Sequence, residues 1–153
     1  MEKGNNMKEV NTSAKCFNGI YEGVIEENGV ISFKGIPYAK PPVGKLRWRA
    51  PEPMEPGSGV FRASSFGKSS IQYECFSEPA SSNETGEDCL TLNVWTGSLE
   101  DSDKPVMFYI HGGGFSWGGT ADPLYNGQYI VEKHKDVVVV TCNYRVGLMG
   151  FAD

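Results

Sequence analysis

The stretch VMFYIHGGGFSWGG, residues 106 to 119, decides the fold. Its first five residues form an unbroken apolar run, the pattern of a strand covered on both faces, and three glycines follow His111 at once. Downstream, DPLYNGQYIVEKHK (122–135) sets Leu124, Tyr125, Tyr129, Ile130 and Lys133 at helical spacing, and DVVVVTCNY (136–144) is a second buried run. Strand, loop, helix and strand in that order make a βαβ unit, which implies two parallel strands joined by a right-handed crossover. In an open α/β sheet, ligands bind beyond the carboxyl ends of the strands, and the glycine loop sits at that end.

The loop carries two overlapping patterns. Gly114 to Gly118 spells G-x-S-x-G, the signature of a nucleophile elbow, while His111 to Gly114 spells HGGG, a loop that donates backbone N–H groups to an oxyanion. An elbow needs its serine at the apex of a sharp strand-to-helix turn. Here Ser116 stands well past the strand, and Gly118, Gly119 and Pro123 postpone any helix. Ser116, Asp122 and His134 have the order of a triad. His134, however, precedes the second strand, so a strand's length of roughly 17–20 Å parts it from the loop, against a hydrogen-bond reach of about 3 Å. His134 reads as a solvated helix-end residue. Three glycines let the backbone approach a bound atom closely and leave N–H groups free, as an oxyanion hole requires.

Outward from this unit, CLTLNVWTG (89–97) alternates Leu90, Leu92 and Val94 on one face of a strand. Asn28-Gly29 separates two β-rich runs in GIYEGVIEENGVISFKGIPYA, a hairpin signal. Pro37 to Pro56 is proline-punctuated and extended, and residues 64–87 read as a surface loop from their Ser, Glu and Asn content. Residues 1–18 read as a loose arm. With 153 residues and 39% apolar content the chain has the length and composition of one globular domain. A net charge of -5 argues against nucleic acid, no run reaches the length of a membrane span, and MEKGNNMKEVNTSAKC lacks the apolar core of a secretory signal. These features point to a cytoplasmic protein. The four cysteines form no C-x-x-C pair and lie far from His111 and His134, so no metal is expected. Cys142 reads as a small buried hydrophobe. Cys75 and Cys89 could close a short loop in an oxidising compartment, and without an export signal free thiols are expected.

Four segments in order, FKGIPYAKPPVGKLRWRAPEP, EDCLTLNVW, VMFYIHGGGFSWGG and NYRVGLMGF, make the chain resemble the N-terminal part of the type B carboxylesterases. These belong to the α/β-hydrolase fold and include para-nitrobenzyl esterases and cholinesterases. The resemblance implies an α/β architecture over residues 19–153, with a small N-terminal β-hairpin and the first strands of a mostly parallel central sheet, stopping before the nucleophile elbow. It implies that the N–H groups of Gly113 and Gly114 hold the oxyanion, with a third N–H from the residue after the nucleophile. Arg47 and Glu87 are expected as a structural ion pair. Ser70 stands where extracellular members carry the cysteine that pairs with the one in EDCL.

The function implied is hydrolysis of a small-molecule carboxylic ester by serine acyl transfer, without a cofactor. The nucleophile, acid and histidine are not among these residues, so the chain alone is expected to be inactive. DVVVVTCNY is expected to be an unpaired apolar edge, requiring the rest of an esterase or self-association. A non-catalytic binding relative of the same fold is the alternative, and the intact HGGG favours the enzyme.

Overall fold

The computed structural model describes residues 11–73 and 84–151. Its main sheet has five strands: β3 (Val24–Ile25), β4 (Ile31–Pro37), β8 (Thr91–Thr96), β10 (Val138–Cys142) and β9 (Val106–Ile110), in that spatial order. A three-stranded sheet of β1 (Ser13–Cys16), β2 (Gly19–Glu22) and β5 (Val60–Arg62) packs beside it, and β6 (Ser69–Ser70) pairs with β7 (Thr85–Gly86). Ser13–Cys16 lies inside the expected loose arm, yet it pairs antiparallel with β2. The Asn18-Gly19 dipeptide is the turn signal behind it.

β9 and β10 run parallel in register from Val106↔Val138 to Ile110↔Cys142, joined through α1 (Gln128–Lys133). Every other pairing in this sheet is antiparallel. The described residues, the first strands of the central sheet, therefore form a mixed sheet with one parallel pair. The physical reason is that β3, β4 and β8 are linked without crossover helices, which parallel pairing requires. Across the Asn28–Gly29 turn only Val24 and Ile25 pair with β4, because β2 has already left for the second sheet.

The core has two apolar faces. Trp95, Val30, Val131 and Val139 pack together under α1, while Tyr21, Ile31, Phe33 and Ala63 join the two sheets. The buried face of β8 carries Thr91, Asn93 and Trp95, whereas Leu92 and Val94, expected to lead, are half-buried. Likewise α1 buries Val131 and leaves Tyr129 exposed.

β9 reverses its expectation. All five residues are exposed, from Tyr109 at 39% to Ile110 at 62%, because the strand lies at the sheet's edge with one pairing side open. β10, expected at the edge, is interior and paired on both sides, since β8 takes the side that sequence order left free. Among the described residues no helix is long and apolar enough to cross a membrane.

Candidate active site

The HGGG loop leaves the carboxyl end of β9 as placed from the sequence. Each peptide plane in it is fixed by its carbonyl. His111 Nδ1 lies 2.8 Å from Gly112 O, and because a carbonyl only accepts, the ring nitrogen must carry the proton. Gly113 O accepts from Ser116 N at 3.0 Å and Trp117 N at 3.2 Å. In a trans peptide the N–H opposes the C=O, and no cis bond occurs among the described residues. Tying Gly112 O and Gly113 O inward therefore turns the amides of Gly113 and Gly114 outward. Neither donates to a protein acceptor among the described residues.

Glycine is dictated at position 113. Gly113 and Gly114 have φ of +120° and +58°, and Phe115 continues at +63°. A Cβ on Gly113 would collide with the carbonyl oxygen of Trp117, whereas one on Gly114 would meet nothing within 4 Å. The space beside Gly114 is open.

His111 is the loop's buried anchor, 3% exposed and stacked on Tyr144 with ring centroids 4.3 Å apart. Burial lowers its pKa, and the bond to Gly112 O works weakly the other way. Tyr144 Oη also donates to His111 O at 2.7 Å. The chain leaving the loop is stitched down by polar side chains. Thr120 N donates to Asn143 Oδ1 at 2.8 Å, and Asn93 Nδ2 donates to the hydroxyls of Thr120 at 2.9 Å and Thr141 at 3.1 Å. Asn93 Oδ1 accepts Gly35 N at 2.9 Å, filling the bulge where the β4–β8 register shifts. α2 (Gly147–Phe151) completes the cradle, its Gly147 N donating to Phe115 O at 2.6 Å.

Ser116, Asp122 and His134 do not come together. Ser116 Oγ donates to Gly114 O at 3.2 Å, and Asp122 caps the turn at Pro123–Tyr125 by accepting Leu124 N. His134 is exposed at the end of α1, a five-residue strand away, or about 17 Å. Of the aromatic side chains near the loop, Phe115 is exposed and meets Phe151 edge-on at 5.0 Å, while Tyr125 packs against Tyr109.

Arg47 and Glu87 do pair, Nε to Oε2 at 2.8 Å and Nη2 to Oε1 at 2.7 Å, at a partly exposed position. Cys89 is buried, and desolvation pushes its thiol up to about 11, with the Ser70 hydroxyl hydrogen-bonded to it acting the other way. Cys75 lies outside the described residues. Cys16, Cys89 and Cys142 are free thiols. No group of three His, Cys, Asp or Glu that could hold a metal gathers among the described residues.

Three residues that hold the loop escaped the sequence reading: Asn93, Asn143 and Gln72. The signal available for Asn93 was a polar residue inside an otherwise apolar strand. For Gln72 it was the match of SSIQ to the family's CPQ-like stretch, which sets Gln72 at the Gln.

Residues 6–153 match the Carboxylesterase family. Curated relatives include a fumonisin B1 esterase of Sphingopyxis macrogoltabida, 44% identical over 88% of this chain and 24% of its own length. Another is the para-nitrobenzyl esterase of Bacillus subtilis, 44% identical over 82% of this chain and 26% of its own. The acetylcholinesterase of Electrophorus electricus is 40% identical over 84% and 22%. The chain spans about a quarter of the length of these relatives. Among solved structures, a thermophilic PNB esterase superposes with a TM-score of 0.83 at 39% identity, covering 93% of this chain and 29% of that one.

Proposed function

The chain belongs to the carboxylesterase family, with the α/β-hydrolase fold of its structural neighbours, and from that premise we propose that it supplies the oxyanion hole of an ester hydrolase. One observation carries the reading: two successive carbonyls are tied within the loop, so the amides of Gly113 and Gly114 are left without an acceptor among the described residues, and the space beside Gly114 is open. When a nucleophile attacks a carboxylic ester, charge develops on the carbonyl oxygen, and donors already aimed at it need no reorganisation. Removing one such donor typically costs about 10²–10³ in rate, or about 2.7–4 kcal/mol. The substrate is a small-molecule carboxylic ester.

On this reading the attacking group is not among the described residues. Both of its histidines are accounted for, His111 by its buried bond to Gly112 O and His134 by its place at the far end of the strand pair. Neither histidine is therefore a base within reach of Ser116. The 153 residues alone are expected to release p-nitrophenol from p-nitrophenyl acetate no faster than buffer, with Ser116→Ala indistinguishable. Turnover that Ser116→Ala abolishes would contradict the proposal.

The exposed β9 supports a second element of it, that another strand covers this edge in the working protein. By itself the chain is expected to associate with increasing concentration in sedimentation velocity. A monodisperse, sharply melting monomer would count against that. We further propose a cytoplasmic, reducing compartment, in which the described cysteines stay as thiols.

A further inference from the structure

The far end of the glycine loop is held by one side chain from a segment 46 residues away. Gln72 Nε2 donates to Gly118 O at 2.9 Å and to Ser70 O at 3.0 Å, and its Oε1 accepts Gly118 N at 2.7 Å. Two carbonyls and one amide admit only this orientation of the carboxamide. Ser70 in turn is buried, and its hydroxyl accepts Val146 N at 3.1 Å, so the clamp is rooted in the body of the protein.

Gly118 backs onto the loop's first peptide. A Cβ there would lie 2.5 Å from His111 Nδ1 and 2.7 Å from Gly112 O, the two atoms whose bond aims the Gly113 amide. The backbone at Gly118, with φ of +117°, is held against that bond with no room to spare.

We propose that Gln72 is a positioning residue of the oxyanion loop. By gripping both polar groups of Gly118 it keeps that residue against the His111–Gly112 hydrogen bond, and so keeps the Gly113 amide turned outward. The inference rests on the reading of Gly113 and Gly114 as oxyanion donors. It adds a specificity of chemistry: both an acceptor and a donor are needed at position 72, and only a side chain offering the pair can serve.

The test is residue-resolved amide exchange by NMR on the 153-residue chain and two variants, with phenylphosphonate titrated as a tetrahedral oxyanion probe. In Gln72→Ala, Gly118 is expected to exchange about tenfold faster or more. The phenylphosphonate shifts at Gly113 and Gly114 fall severalfold, while core amides at Trp95 and Val139 keep their protection. Gln72→Glu separates positioning from mere packing, and it decides the matter if the alanine variant loses its core protection. The carboxylate accepts from Gly118 N but repels Gly118 O, whereas the protonated acid can do both.

Compared with the wild type at each pH, so that titration of His111 cancels, the glutamate variant should be loose at neutral pH. It should regain protection as pH falls through the carboxyl range near 4. If wild-type Gly113 and Gly114 ignore phenylphosphonate, the oxyanion reading fails. If they respond and Gln72→Ala alters neither response nor exchange, or Gln72→Glu shows no pH-dependent recovery, the reading stands and the clamp is overturned.

Discussion

Asn93 and Trp95 sit two residues apart on the same face of β8, both wholly buried, and they do opposite work. Trp95 meets Val30, Val131 and Val139 in a dry cluster, where stability comes from apolar surface withdrawn from water. Asn93 joins a bulge in β4 to hydroxyls on the segment after the glycine loop and on β10. Its bonds gain little net free energy but leave costly orphans if broken. Toward the amino end of the β9–β10 pair the molecule is held together. At the carboxyl end it is held in shape.

If that division is right, damage at the two places should differ in kind. Trp95→Ala is expected to lose about 3–5 kcal/mol of global stability in denaturant unfolding, with all probes moving together. Asn93→Ala should lose less, about 2–3 kcal/mol, and amide exchange should accelerate first around Gly35 and Thr120. Equal, global effects of the two would erase the distinction.

Gly113→Ala sharpens it further. The new Cβ collides with Trp117 O and faces a left-handed backbone, so the loop must rearrange while the Trp95 cluster is untouched. Unfolding should shift by about 1–2 kcal/mol, as a strained backbone position does, with any phosphonate response gone. A loop that binds phosphonate as before would show that the outward amides are not set by this backbone.

A pH dependence should also localise to the polar end. The folded-state pKa of His111 is lowered from 6.5, chiefly by burial. The unfolded chain therefore binds more protons, so its contribution to stability is complete above about 6.5 and declines as pH falls below that toward the folded value. The decline should vanish in His111→Gln and persist in His134→Gln.

The smallest effect is expected at Glu87→Gln, because the Arg47 pair is partly exposed and screened. Its melting temperature should fall slightly, and less in high salt. A large drop would mean the pair is structural in the sense the family resemblance implied.

The sequence made the parallel pair, the loop at its carboxyl end and the impossibility of Ser116 with His134 legible, because glycine spacing and strand direction are local facts. It misjudged β9 and β10, since an unbroken apolar run says that a strand is meant to be covered and not which neighbour covers it. It missed Asn93, Asn143 and Gln72 for a different reason. Ordinary polar residues acquire their roles only when the fold brings Gly35, Thr120, Lys68 O or Gly118 within hydrogen-bond distance. Strand β1 hid in an arm that composition alone marked as loose.

The most direct measurement follows the backbone amides of the loop in 15N–1H spectra while phenylphosphonate is added. Saturable downfield shifts at Gly113 and Gly114, with Gly118 and the Trp95 cluster unmoved, are the expected result. Amides there that are already protected without the anion, or that never respond to it, would contradict an oxyanion hole in this loop.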